Sequence, residues 1–109
     1  MNNQVLGRAG EDLAEVLIKE KGYRVLERGF RCPAGEIDMI FTDGETLHFA
    51  EVKTRSSRYY GLPEEAVDSR KRGHIRRTAS WYIKEKDPVE KRFSFDVVAV
   101  TCEYLKGVF

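Results

Sequence analysis

The strongest constraint on the fold is a pair of apolar segments separated by Asp43-Gly44. Residues 36–41 and 46–53 are rich in apolar and β-branched side chains, and an Asp-Gly pair between two such segments is typical of a tight β-hairpin. If the turn is centred on Asp43-Gly44, the numbers of paired residues sum to about 87, which places Asp38 near Phe49. The sequence therefore predicts two adjacent antiparallel strands.

Two segments have apolar residues at helical spacing. Residues 4–21 are followed by Gly22, and residues 64–86 are followed by Asp87-Pro88, and both are typical stop signals. Gly73, inside the second segment, indicates a break or a kink. We predict two amphipathic helices.

Two further segments indicate strands, which completes the order α-β-β-β-α-β. Residues 23–29 alternate between polar and apolar, and residues 93–101 are almost continuously apolar, as in a strand buried on both faces. Strands joined by short turns should be antiparallel, whereas a helix before the last strand suits a crossover to a parallel neighbour. The predicted fold is α/β, a mixed sheet flanked by helices, in one domain over 1–109.

Composition excludes several classes of protein. With 41% hydrophobic and 34% charged residues, the chain is globular and not disordered. No apolar run approaches the roughly 20 residues that span a bilayer, and the N-terminus lacks the features of a signal peptide. Cys32 and Cys102 have no metal-ligand spacing. We expect a cytoplasmic protein with reduced thiols and no membrane contact.

The candidate chemistry lies in the hairpin. Asp38 interrupts an apolar strand, and Glu51 and Lys53 share one face of the next strand while Val52 takes the other. Two carboxylates, a backbone carbonyl and waters suit Mg²⁺, and a lysine beside them suits hydrolysis of a phosphodiester. The alternative interpretation is that Glu51 and Lys53 form an ordinary surface ion pair.

Four motifs resemble one known family. They are Gly-Arg-Ala-Gly-Glu at 7–11, Gly-Glu-Ile-Asp-Met-Ile at 35–40, Glu-Val-Lys-Thr-Arg at 51–55 and Phe-Asp-Val-Val-Ala-Val at 95–100. The pattern Asp38…Glu51-Val52-Lys53 looks like the PD-(D/E)XK nuclease signature, and the whole set resembles the YraN-like family of small bacterial proteins. That family is similar to archaeal Holliday junction resolvases and implies a restriction-endonuclease-like core.

The resemblance also implies roles for single residues. Asp38, Glu51 and Lys53 would be catalytic, and Glu11 would join Asp38 and Glu51 in binding Mg²⁺ or Mn²⁺. Without the resemblance, a glutamate on the first helix is usually solvated. Ile37 precedes Asp38 where the superfamily pattern has a proline. Two further acids, Glu36 and Asp96, either lie at the edge of the site, cap a strand or pair with an arginine.

Positive charge is concentrated after the Glu-X-Lys motif. Residues 53–77 contain eight basic and three acidic side chains, a net charge of +5 in a chain of +1. Basic residues with aromatic neighbours suit phosphates and bases, whereas a solvated helix face is the plain alternative. The predicted nucleic-acid contacts are Arg55, Arg58, Tyr60, Lys71 and Arg72.

Three hypotheses remain at the level of sequence. The first is a metal-dependent endonuclease acting on DNA, with structured or branched DNA as a candidate substrate. The second is a nucleic-acid-binding module with the same fold and no catalysis, and the third is an interaction domain whose acidic cluster is structural. A homodimer is a further hypothesis, since resolving a junction requires two cuts.

Overall fold

Two helices and four strands make up the fold. The computed structural model describes residues 3–55 and 67–109. The elements are α1 Asn3–Glu20, β1 Arg24–Cys32, β2 Gly35–Thr42, β3 Thr46–Arg55, α2 Ser69–Lys86 and β4 Arg92–Thr101. The predicted order α-β-β-β-α-β is confirmed. Neither helix in these residues is long and apolar enough to cross a membrane.

The strands form one mixed sheet in the order β1-β2-β3-β4. The β1–β2 and β2–β3 pairs are antiparallel, and β3–β4 is parallel, as the connections predicted. Asp43 builds the central hairpin turn, because its Oδ1 accepts the amides of Glu45 and Thr46 at 2.9 Å each. Gly44 has φ 98°, a backbone conformation that glycine adopts without strain.

The helices pack on opposite faces of the sheet. On one face, Ala14 and Ile18 of α1 pack with Met39, Phe41, Ala50 and Val98. On the other, α2 buries Ile75, Ala79 and Tyr82 against a cluster that includes Ile37, Ile40, Leu47 and Phe49. Each face of the sheet therefore has its own apolar core, and side chains of β3 alternate between the two.

Helix α1 approaches the sheet at a glycine. A Cβ on Gly10 would overlap Thr54 Oγ1 and lie 2.8 Å from Thr54 Cβ, whereas a Cβ on Gly7 would meet nothing within 4 Å. Only a residue without a side chain fits between α1 and the end of β3. The Gly-Arg-Ala-Gly motif thus contains one glycine with a packing role.

Helix α2 begins later than predicted. Val67 and Asp68 are not helical, and Asp68 is the N-cap, whose Oδ1 accepts the Lys71 amide at 2.9 Å. The predicted helix was therefore wrong at Val67 and Asp68, whereas its first residues, 64–66, and the predicted loop at 56–63 lie outside the described residues. Gly73 causes no break, because Ser69–Lys86 is a continuous helix. Asp87 ends it in the left-handed conformation (φ 44°), as expected.

The predicted hairpin register was wrong by two. Pairs such as Met39↔Ala50 and Thr42↔Leu47 have sums of 89, because the Asp43 carboxylate draws Glu45 and Thr46 into the turn. The second error concerns β4, which is not buried on both faces. Only Val98 in that strand is buried, since β4 forms an edge of the sheet.

Candidate functional site

The candidate site lies where β2 and β3 cease to pair through their backbones. The last described pair of this ladder is Met39↔Ala50. Beyond it, the Asp38 carboxylate accepts the Val52 amide at 2.8 Å between Oδ2 and N, in the place of a backbone carbonyl. One carboxylate oxygen of Asp38 therefore joins the ends of the two strands, which holds the negative charge of Asp38 at the open end of the hairpin.

Strand alternation brings the predicted residues to one face. Glu51 and Lys53 follow Phe49 at steps of two and lie on the α2 side, whereas Val52 packs with the core under α1. Asp38 lies beside them, because its charge acts on Glu51, Lys53 and Lys71 and its carboxylate accepts the Val52 amide. The alternation of β3 on which the shared face of Glu51 and Lys53 depends is thus confirmed.

Helix α2 adds a lysine to this group. Lys71 Nζ lies 3.0 Å from Glu51 Oε2, and Glu51 is a buried residue, only 7% exposed. The Asp68 cap fixes the first turn of α2, which carries Lys71 to the end of β3. The ammonium of Lys71 thus occupies a cation position directly beside Glu51.

The charges in this cluster shift one another's pKa values. Burial, followed by the charge of Asp38, raises the pKa of Glu51 above its usual value, against the lowering effect of the two lysines. The pKa of Lys53 is lowered, first by its hydrogen bond with Lys71 and then by burial. Although burial lowers the pKa of Lys71, its hydrogen bonds with Lys53 and Glu51 raise it overall. Lys71 therefore places its charge beside Glu51, and Lys53 is the neighbouring amine whose pKa is lowered.

The donor set fits a hard divalent cation held by few protein ligands. Mg²⁺ is commonly bound through one or two carboxylates, with waters and substrate phosphates completing its shell. Asp38 and Glu51 supply two such carboxylates, and a cation already lies against Glu51. Within residues 3–55 and 67–109, no group of three or more His, Cys, Asp or Glu side chains is close enough to hold a metal ion.

Glu11 pairs with an arginine of β1. Its Oε2 lies 3.5 Å from Arg28 Nη2, and the same guanidinium binds Asp12 at 2.9 Å and Glu15 at 3.1 Å. Three acids of α1 thus surround one arginine of β1. The metal-ligand role that the resemblance implied for Glu11 stays a prediction, without a contact between Glu11 and the other two carboxylates.

The predicted nucleic-acid contacts divide into three groups. Lys71 and Arg72 both lie at the site, where Arg72 Nε donates to the Val67 carbonyl at 3.0 Å and its side chain lines a cleft beside Glu51. Arg55 is the last residue of β3, and its carbonyl accepts the Cys102 amide at 3.0 Å. Arg58 and Tyr60 lie outside the described residues.

Glu51 borders two clefts, and both contain residues that the sequence reasoning missed. The aromatic cleft, of about 480 Å³, is lined by Glu51, Arg72, Arg76, Phe49, Ile75 and Phe95 among others. The basic cleft, of about 360 Å³, includes Glu51, Arg70, Lys71 and His74. Arg72 and Arg76 are four residues apart, so helical spacing alone could have indicated that both lie on one face of α2.

A second polar cluster joins β3 to β4. Asp96 Oδ2 lies 2.6 Å from His48 Nδ1, and Asp96 Oδ1 accepts from Ser94 Oγ at 2.5 Å. His48 also stacks on Phe41 at 4.8 Å. Asp96 therefore pairs with a histidine rather than an arginine, whereas Glu36 does pair with an arginine, Arg31, at 3.3 Å. Finding the first pair required the parallel register His48↔Ser94.

Comparison with known proteins gives one consistent result. The model of the "Uncharacterised protein family UPF0102" matches residues 10–100. A UPF0102 protein of Moorella thermoacetica is 46% identical over 118 aligned residues, covering 100% of this chain and 98% of that protein. A UPF0102 protein of Caldicellulosiruptor saccharolyticus is 41% identical, covering 92% and 85%. One of Clostridium acetobutylicum is 46% identical, covering 90% and 80%.

Proposed function

The chain belongs to the uncharacterised protein family UPF0102, and we propose that it is a metal-dependent nuclease that hydrolyses phosphodiester bonds in DNA. The observation that carries the proposal is the convergence of Asp38, Glu51, Lys53 and Lys71 where the β2–β3 ladder ends. Two carboxylates and two lysines at one point suit a divalent cation and the phosphate that it binds. The proposed cofactor is Mg²⁺ or Mn²⁺, held by Asp38 and Glu51.

Each residue of the cluster has a distinct task in this proposal. When bound, the metal polarises the phosphoryl group and makes water more acidic. Lys53, whose pKa is lowered, orients the attacking water and stabilises charge that develops on the phosphate. Lys71, whose ammonium lies 3.0 Å from Glu51, would contact a phosphate oxygen of the substrate. Arg72 and the other basic residues of α2 hold neighbouring phosphates.

A second candidate function is supported by one observation. Because Lys71 already neutralises Glu51 at 3.0 Å, the cluster has an internal counter-ion and does not require a metal. A nucleic-acid-binding module without catalysis would have this arrangement, with the basic face of α2 as its contact surface. The two functions differ in metal dependence and share salt-dependent binding.

The test is cleavage of labelled duplex, single-stranded and four-way-junction DNA with Mg²⁺ or Mn²⁺. The proposal expects metal-dependent cutting that is lost in Glu51→Gln and in Lys53→Ala, with circular dichroism verifying that both variants are folded. His74→Ala is a control that should keep the wild-type cleavage rate. His74 lies in the adjacent basic cleft and is neither a proposed metal ligand nor the amine that orients the water. Binding without cutting on every substrate would favour the non-catalytic module instead.

The remaining features of the proposal concern assembly and compartment. Leu13, Val16 and Leu17 of α1 are 50%, 60% and 43% exposed, and this apolar face is a candidate surface for a homodimer. Sedimentation at several concentrations tests the dimer, and a monomer at all of them would count against junction resolution. Cys32 and Cys102 are free thiols, consistent with a cytoplasmic location.

A further inference from the structure

The aromatic cleft has a composition that phosphate binding does not require. Its floor is apolar, with Phe49 and Ile75 buried, whereas Phe95 is 47% exposed at its rim. A surface that only follows the backbone of a duplex needs positive charge, and an exposed aromatic side chain there adds nothing to it. The aromatic cleft therefore suits a ligand that has a planar, apolar part.

Planar groups in the cleft are arranged for stacking. The Phe95 ring stacks on Phe49 at 5.6 Å between centroids, and the Arg76 guanidinium lies 5.8 Å from the Phe95 centroid. Unpaired bases stack on both aromatic rings and guanidinium planes, and they do so with little dependence on sequence. Both kinds of surface thus stand beside one cavity of about 480 Å³, which falls within the usual range for ligand pockets.

The position of the cleft links it to the candidate site. Glu51 lines the aromatic cleft on one side and the basic cleft on the other. Arg72 and Arg76 give the aromatic cleft two positive charges, while both oxygens of Asp96, which also lines it, are already bonded to His48 and Ser94. A phosphate beside Glu51 would place the adjoining nucleoside at the mouth of the aromatic cleft.

We propose that the aromatic cleft, next to Glu51, binds the base of an unpaired nucleotide adjacent to the phosphate held at the site, so that the protein prefers single-stranded or unstacked DNA. This inference rests on the proposed nucleic-acid function and specifies its substrate class. A base within a duplex remains stacked on its neighbours and does not enter an apolar cleft, whereas a base at a branch, gap or single strand enters it without that cost.

The test measures the affinity of the full chain for a labelled single-stranded oligonucleotide and for a fully paired hairpin duplex of the same length. Fluorescence anisotropy is recorded with Ca²⁺ in place of Mg²⁺, so that binding is observed apart from cleavage. We expect Phe95→Leu to weaken single-strand binding about tenfold and to leave duplex binding within about twofold. Phe95→Tyr, which keeps an aromatic ring, should retain the wild-type affinity.

A matched control is available on the same strand. Phe93 is 44% exposed, lies two residues from Phe95 on the same face of β4 and is not among the residues that line the cleft. Phe93→Leu should change neither affinity. Because Phe95 is half exposed, its leucine variant retains most of the apolar contact and should fold, which thermal unfolding verifies.

The outcomes separate this inference from the proposed function. If Phe95→Leu binds both substrates as the wild type does, or loses affinity for both equally, the nucleotide cleft is refuted while nucleic-acid binding stands. A wild-type preference for duplex would also refute it. If the wild type binds neither substrate at any salt concentration, the proposed function fails and this inference fails with it.

Discussion

Replacing Lys71 with methionine tests whether its ammonium occupies the cation position of the site. Lys71→Met keeps the length and apolar stem of the side chain and removes the charge that lies 3.0 Å from Glu51 Oε2. Glu51, which is 7% exposed, then remains beside Asp38, and Lys53 is the lysine left near it among residues 3–55 and 67–109. The variant therefore removes one partner of a largely buried ion pair and leaves the other in place.

The expected magnitude follows from burial on the two sides of the pair. Hydrogen bonds to charged groups contribute about 1.5–3 kcal/mol to stability. Because 39% of the Lys71 side chain is exposed, solvent screens its charge, and we expect a loss of about 1–2 kcal/mol in the free energy of unfolding without divalent metal. Urea denaturation in EDTA at neutral pH measures it.

The same variant should respond more strongly to Mg²⁺. If removing the competing ammonium tightens Mg²⁺ binding about tenfold, saturating Mg²⁺ stabilises Lys71→Met by about 1.4 kcal/mol more than the wild type. Lys84→Met is the matched control, since Lys84 is an exposed lysine near the other end of α2. An equal Mg²⁺ effect on Lys71→Met and the wild type would refute the reasoning.

The pH dependence provides an independent readout of the same pair. The folded state raises the pKa of Glu51 above its ordinary value of 4.5, so the native chain holds this proton more tightly than the unfolded chain. Binding of this proton contributes its full share to the free energy of unfolding below pH 4.5, and that share is lost as the pH rises through the raised pKa of Glu51. The penalty of Lys71→Met should accordingly shrink as the pH falls through that window. Mg²⁺ affinity should fall there as well, because protonated Glu51 is no longer an anionic ligand.

Substitutions at Asp38, Gly10 and Asp96 test the packing and the hydrogen bonds around the site. Asp38→Ala should lose about 1–3 kcal/mol in urea denaturation, because it leaves the Val52 amide of β3 without its acceptor. Asp38→Asn should keep the stability and lose Mg²⁺ affinity in calorimetry. Equal losses of stability in both variants would contradict this. Gly10→Ala should cost about 1–3 kcal/mol through its clash with Thr54, while Gly7→Ala should be neutral or stabilising by up to about 1 kcal/mol. Asp96→Ala should lower the melting temperature without changing Mg²⁺ affinity, since the Asp96 carboxylate is bonded to His48 and Ser94.

Local patterns predicted most of the elements because each depends on near neighbours in sequence. The Asp43-Gly44 turn, the helical spacing of α2 and the alternation that puts Glu51 and Lys53 on one face require no knowledge of the rest of the chain. The start of α2 was missed because Asp68, and not the apolar pattern, decides where the helix begins.

The errors have a common physical origin in contacts between distant segments. The exposure of β4 depends on its place at the edge of the sheet, which no periodicity within the strand reveals. The pairing of His48 with Asp96 depends on parallel register, and the Arg28 contact of Glu11 depends on how α1 lies against β1. Sequence spacing singled out Asp38, Glu51 and Lys53 as candidates and could have placed Arg76 on the face of Arg72. It gave no signal for Phe95, which lies beside Phe49 only in the folded sheet.

The position of the site follows from how the backbone amides at the end of the β2–β3 ladder find hydrogen-bond acceptors. Where β2 and β3 separate, a backbone amide would lose its partner, and the Asp38 carboxylate supplies one at 2.8 Å. Strand alternation directs Glu51 toward α2, and the first turn of α2 places Lys71 Nζ 3.0 Å from Glu51 Oε2. Glu51 is thus a largely buried carboxylate whose counter-ion is a partly exposed ammonium, and in the proposed function a metal would take the place of that ammonium. Two different residues thus carry the two tasks of this hairpin. Asp38 Oδ2 joins the strands by accepting the Val52 amide, and Glu51 Oε2 faces the cation.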